Sequence, residues 1–140
     1  MENMEASFKA VLRGKHRKTS RVGRLLIANK DAVIAELQRR ISDGSYRVSG
    51  YREMHIVEAG KSRTIQVVPL KDRIAVNAIM RVVDEHLHGR FIRTTSASIR
   101  NRGMHDLLGY IRRDIAEDPD GTRFCYAFDV RKFYESVDQQ

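Results

Sequence analysis

The chain has 140 residues, 41% hydrophobic and 31% charged, one domain's worth of ordinary globular composition. Its one cysteine, Cys125, excludes an internal disulfide scaffold, and no apolar stretch approaches the roughly 18 residues of a membrane span. Lys and Arg number 26 against 18 Asp and Glu, a net charge of +8 that points to a polyanionic partner, nucleic acid first among them.

Met4, Phe8, Val11 and Leu12 recur at helical spacing, and Gly14 breaks the pattern. Residues 15–24 are dominated by Lys and Arg. Arg17, Arg21 and Arg24 fall at i, i+4 and i+7, one face of a helix. With Lys15 and Lys18 they make the densest positive patch. It suits a salt-sensitive, sequence-blind contact to an RNA backbone and reads equally as a solvated face. Val22, Leu25, Leu26, Val33, Ile34, Leu37 and Ile41 predict two helices, or one bent near residues 29–31, with Asn29 as N-cap. Asp43-Gly44 ends that run.

The period then changes. Residues 51–58 and 63–68 are rich in Ile, Val, Tyr and Thr, and predict a β-hairpin with a turn of about four residues over 59–62. Pro69 closes the second strand. Ile74, Ala75, Ala78, Ile79, Val82, Val83 and Leu87 form one stripe of a helix over 71–87, ended by Gly89. Asp72-Arg73 is expected to cap and ion-pair its start. Residues 91–101 are irregular and polar. Leu107, Leu108, Ile111 and Ile115 predict a helix over 104–116, and Asp118-Pro119-Asp120-Gly121 a turn. Residues 122–130 read as a strand and 131–137 as the first turns of a helix. The expected fold is therefore α+β: a helical N-terminal part, a hairpin, two further helices and a strand.

The charge is graded along the chain. Residues 1–40 hold ten basic and four acidic side chains, 41–80 six and four, and 81–113 seven and three. Residues 114–140 reverse the balance, three against seven. A basic body can neutralise phosphates, and carboxylates supply hard oxygen ligands to metal ions. The acidic residues 114–120 read as a solvated helix end and turn. Asp129 is different. Strand alternation puts Phe124, Tyr126, Phe128 and Val130 on one face and Cys125, Ala127 and Asp129 on the other. A carboxylate at the end of a buried strand needs a partner, either a metal ion or the backbone N–H groups of the helix it caps.

The string Phe128-Asp129-Val130-Arg131-Lys132-Phe133-Tyr134-Glu135-Ser136-Val137-Asp138 resembles motif A of the palm of bacterial reverse transcriptases, the group II intron and retron-like RNA-directed DNA polymerases. Gly60-Lys61-Ser62-Arg63-Thr64-Ile65-Gln66-Val67-Val68-Pro69, followed by Asp72-Arg73-Ile74 and Asn77-Ala78, resembles the fingers hairpin and following helix of that family. Thr95 to His105, with Arg100, Asn101, Arg102 and Gly103, resembles its next block. Arg13-Gly14-Lys15 and Gly44-Ser45-Tyr46 match earlier positions. The blocks stand in the family's order and cover nearly the whole chain.

That resemblance implies fingers over residues 1–121 and the first palm strand and helix start over 122–140. It implies an RNA template, a DNA primer and incoming dNTP as partners, and Mg2+ as cofactor. Asp129 matches a metal-binding catalytic carboxylate, with the Val130 carbonyl beside it. Lys61 and Arg63 match cations that contact the triphosphate, and alternate strand residues share a face. Phe133 and Tyr134 match the pair of which one packs under the incoming sugar. Arg100 and Arg102 match a loop near the template strand or nucleotide, while His105 reads as a packing or capping residue.

The family's Tyr-x-Asp-Asp segment is absent from this sequence. The expectation is a piece of a longer polymerase, catalytically incomplete by itself. The competing reading is a stand-alone RNA-binding module. An unpaired strand over 124–130 would also allow a homodimer by edge pairing. Residues 1–8 are not a signal peptide, so the expected compartment is a reducing cytoplasm and no membrane partner is implied.

Overall fold

A computed structural model describes residues 2–131 and 133–138. The fold is α+β. Its elements in chain order are α1 (Glu2–Val11), α2 (Lys15–Thr19), α3 (Arg21–Ala28), α4 (Lys30–Ser42), β1 (Arg52–Glu58), β2 (Lys61–Val67), α5 (Leu70–His88), α6 (Met104–Glu117) and α7 (Phe133–Ser136). Two compact units divide the chain, residues 1–90 and 91–140. No helix among the described residues is long and apolar enough to cross a membrane.

The core lies in the first unit. Met4, Phe8 and Val11 of α1, with Leu12 just after it, pack with Leu26 of α3, Ile34 and Leu37 of α4, and Ile74, Ala75 and Ala78 of α5. The small residues Ala75 and Ala78 let α1 lie close on α5. Asn3 ties the two helices further: its Nδ2 donates to the Ala78 carbonyl at 2.8 Å, and Arg81 Nε donates to its Oδ1 at 2.9 Å. Only the first half of the α5 stripe is buried. Ile79, Val82 and Val83 remain 39%, 49% and 37% exposed, so the predicted stripe outruns the helices that cover it.

The expected single arginine face over residues 17–24 does not form. Ser20 is extended, with φ −62° and ψ 153°, and separates α2 from α3. Its Oγ donates to the Arg17 carbonyl and accepts from the Gly23 N–H. Gly23 is buried, and a Cβ there would stand 1.8 Å from the Arg17 carbonyl oxygen. The two short helices thus fold against each other over a residue without a side chain, and Arg17 leaves the register of Arg21 and Arg24. Asn29 is also not the side-chain cap expected of it. It sits between α3 and α4, and its Nδ2 donates backward to the Leu25 carbonyl.

The connection from α4 to β1 is fastened by a carboxylate. Asp72, only 5% exposed in the first turn of α5, accepts from the Tyr46 hydroxyl and from both the N–H and Oγ of Ser49. This replaces the capping and ion-pairing of the helix start expected of Asp72-Arg73. Burial pushes the Asp72 carboxyl up, but the hydrogen bonds from Ser49 and Tyr46 outweigh it and hold it below its ordinary value. Burial and the same carboxylate push the Tyr46 hydroxyl well up. Beside it, Lys71 Nζ pairs with Glu36 of α4 at 2.6 Å, which holds the Glu36 carboxyl below its ordinary value.

β1 and β2 pair antiparallel from Arg52↔Val67 to Glu58↔Lys61. The turn is the two residues Ala59 and Gly60, at φ 51° and 77°, not the four predicted. Both central residues have positive φ, which matches the right-handed twist of the strands; the predicted turn residues Lys61 and Ser62 are thereby drawn into the ladder.

In the second unit, α6 forms as predicted, but none of its residues is buried. Leu108, Ile111 and Ile115 are 40%, 44% and 51% exposed. The predicted strand over 122–130 is not one: residues 124–130 pair with no other strand among those described, and Phe124, Tyr126, Phe128 and Val130 are 63–92% exposed. A strand exists only through a ladder to another, and the ladder among the described residues is that of β1 and β2.

Candidate nucleic-acid interface

The hairpin positions the first pair of predicted cations. Antiparallel register puts Arg52, Met54, Ile56 and Glu58 on the same face as Val67, Ile65, Arg63 and Lys61. That face is apolar in the middle and charged at the tip. Lys61 is the first residue of β2, exposed and without an ion pair or side-chain hydrogen bond among the described residues. Arg63 is exposed but engaged, its guanidinium 3.3 Å from the Glu58 carboxylate. On the opposite face His55 Nδ1 lies 2.9 Å from Thr64 Oγ1. The structure therefore brings Lys61 and Arg63 to one face, as strand alternation predicts, with a carboxylate between them that the sequence reading did not weigh.

The basic stretch 15–24 splits into two groups. Arg17 donates to the Val11 carbonyl at 3.0 Å, closing α1 onto α2. Lys15, Lys18, Arg21 and Arg24 are exposed and carry no ion pair among the described residues. On α3 the buried Gly23 and Leu26 face inward, which turns Arg21 and Arg24, three residues apart, to solvent together. Four unpaired cations on two short helices repel one another and gain from a bound polyanion.

The loop after α5 is held from within. Arg102 donates to the Ile92 carbonyl at 2.9 Å and the Thr95 carbonyl at 3.5 Å, so its guanidinium shapes the loop. Ser98 and Asn101 adopt positive φ, 59° and 62°. Arg100 is exposed, with no such bond among the described residues. Arg93 makes a two-pronged pair with Asp106 at 2.7 and 3.0 Å and lies 4.6 Å from the Tyr110 ring centroid. The Arg93 guanidinium holds the Asp106 carboxyl below its ordinary value. His105, in the first turn of α6, is exposed and neither caps nor packs there.

Asp129 and Val130 lie in the unpaired, exposed segment, and Asp129 is not enclosed as the strand reading expected. Phe133 opens α7 and is 55% exposed. The side chain of Tyr134 lies outside the described residues. No group of three or more His, Cys, Asp or Glu side chains that could hold a metal ion occurs among the described residues.

No protein-family model matches the sequence, and no curated protein matches it either.

Proposed function

We propose that this chain carries the fingers-side nucleic-acid and nucleotide surface of an RNA-directed DNA polymerase of the bacterial reverse transcriptase type, with Asp129 as a metal-binding carboxylate of its palm. The observation that supports it most is the ordered run of sequence blocks, from Gly60–Pro69 through Thr95–His105 to Phe128–Asp138. Lys61 and Arg63 on one hairpin face, and four unpaired cations on α2 and α3, are consistent with polyphosphate and RNA-backbone contacts.

Each cation has a definite role in this reading. Lys61 neutralises phosphate charge at the hairpin tip. Arg63 does so when its guanidinium exchanges Glu58 for a phosphate, a swap between two oxyanions at an exposed site. Arg21, Arg24, Lys15 and Lys18 hold the template backbone without reading bases. Mg2+, which would stabilise the attacking and leaving oxygens, requires about six oxygen ligands. Asp129 and the Val130 carbonyl would supply two of them, and water and substrate phosphates the rest.

The test is primer extension on an RNA template by the longer polymerase of which this chain would be a piece. Asp129→Asn should abolish extension and leave the melting temperature unchanged, because the side chain is exposed. Retained extension would refute the assignment of Asp129. Lys61→Ala should raise the KM for dNTP more than it weakens template binding, and the opposite order would move the hairpin tip to the template.

A further inference from the structure

At the root of the hairpin, the end away from Lys61 and Arg63, lies a cleft of about 440 Å³ within the first unit. Its walls come from three places: Ser20 and Val22 at the α2–α3 junction, residues 50–52 entering β1, and residues 67–70 with Arg73 leaving β2 for α5. Val22, Val67, Val68, Pro69 and Leu70 make it largely apolar. Tyr51, 52% exposed, also belongs to the lining. Arg52 and Arg73 are the two cations of the lining.

Both arginines are exposed, and neither has an ion pair or a side-chain hydrogen bond among the described residues. Arg73 stands out against its neighbours. Lys71 is paired with Glu36, and Asp72 is buried on Tyr46 and Ser49. Arg73 alone in that turn is spent on nothing in the fold, and as a cation in the first turn of a 19-residue helix it opposes the helix dipole. Arg52 closes the other strand at the register Arg52↔Val67. Two arginines without an ion pair among the described residues and a tyrosine therefore line one mostly apolar cleft of a size that accepts a nucleotide.

We propose that this cleft binds one nucleotide step of a single-stranded nucleic acid, the phosphate between Arg52 and Arg73 and the base stacked on Tyr51. Guanidinium forks grip phosphate oxygens in two-pronged fashion, and every base has a face that stacks on an aromatic ring. A duplex fits less well, because its bases are already stacked. Six register steps of about 3.3 Å separate the root from the tip, so this site is about 20 Å from Lys61 and does not depend on it. Ser20 leads from the basic α2 surface into the cleft, which gives a strand held by Lys15 and Lys18 a place to continue. The inference stands apart from the polymerase reading: it needs neither Asp129 nor dNTP, and it can fail while primer extension succeeds.

The experiment is fluorescence anisotropy of labelled oligouridine and oligodeoxythymidine with the whole chain over a salt series. Binding of either strand supports the site. Arg52→Ala with Arg73→Ala should weaken binding at least ~10-fold at low salt and reduce the slope of log K against log salt by about 0.7, the one single-strand phosphate they share. Tyr51→Ala should weaken it ~5-fold or more with the slope unchanged, and Tyr51→Phe should restore it. Arg52→Lys with Arg73→Lys should keep the slope, and unchanged melting temperatures show that the variants fold. Unaltered affinity and slope in the double alanine variant, or no binding by the unaltered chain, overturns the proposal. Loss with the arginine pair but not with Tyr51→Ala reassigns the cleft to a bare polyanion and overturns the nucleotide assignment.

Discussion

Asp72→Ala is the substitution whose consequence the structure fixes most closely. The carboxylate is 5% exposed and accepts three hydrogen bonds, from Tyr46 and twice from Ser49. A hydrogen bond to a charged group contributes about 1.5–3 kcal/mol net, but the three share one desolvated acceptor and do not add. Removing the carboxylate also removes its own desolvation cost, and Ser49 can turn to water. The expected loss is about 2–4 kcal/mol, a fall in melting temperature of about 10–25 °C if the first unit unfolds as one. Thermal unfolding followed by circular dichroism measures it. The pH dependence gives an independent check. The folded state holds the Asp72 carboxyl below its ordinary 3.8, so its stabilising effect is complete above that value. The part that depends on its charge is lost as pH falls through the lower folded value, and the gap between wild type and Asp72→Ala should narrow there. A fall of less than about 3 °C at neutral pH, or a gap independent of acid, would refute the account of Asp72 as the fastener of the α4–β1 connection.

The other predictions are local. Gly23→Ala must push the Arg17 carbonyl away from a Cβ at 1.8 Å, and should cost about 1–3 kcal/mol and lower amide protection in α2; wild-type stability would mean that α2 is not packed there. Ala59→Asn relieves an alanine at φ 51° and should stabilise the hairpin by about 0.5–1 kcal/mol in denaturant melts, whereas a loss would contradict the two-residue turn. Arg21→Ala and Arg24→Ala should each reduce the RNA salt slope by about 0.7, while Arg17→Ala should lower stability through its lost bond to Val11 and leave that slope nearly unchanged. Glu58→Gln frees Arg63 and should tighten polyphosphate binding, measured by calorimetry, with a change in stability below about 1 kcal/mol because the pair is exposed.

The parts of the fold legible in the sequence are those whose cause is local. The apolar spacing of α1, α4 and α5 survives because each stripe meets another, and Gly44, at φ 70°, ends α4 as a glycine can. The failures have non-local causes. Helical spacing of Arg17, Arg21 and Arg24 could not reveal that Gly23 admits a carbonyl and breaks the helix at Ser20. The run over 122–130 has strand composition, but a ladder depends on a second segment that the run itself does not specify. At the site, alternation placed Lys61 and Arg63 together, and the turn length decides which of them Glu58 faces. With four turn residues Glu58 would stand directly opposite Arg63; with two it stands opposite Lys61 and reaches Arg63 along the diagonal.

Lys71, Asp72 and Arg73 show why neighbours in sequence mislead. Asp72-Arg73 does not cap and ion-pair the helix start as one unit, because successive helical residues point about 100° apart and adjacent side chains do not share a task. Lys71 reaches Glu36 on α4, Asp72 turns into the Tyr46–Ser49 connection, and Arg73 is left on the hairpin-root cleft. One helical turn thus separates fastening from binding by angle alone. The separation has a measurable consequence. Asp72→Ala, studied below its own melting temperature, should leave the salt slope for single-stranded nucleic acid intact, and Arg73→Ala should change that slope without lowering the melting temperature. If the two variants shift stability and slope together, the first turn of α5 acts as a single coupled unit, and the assignment of Arg73 as a cation free of structural duty falls with it.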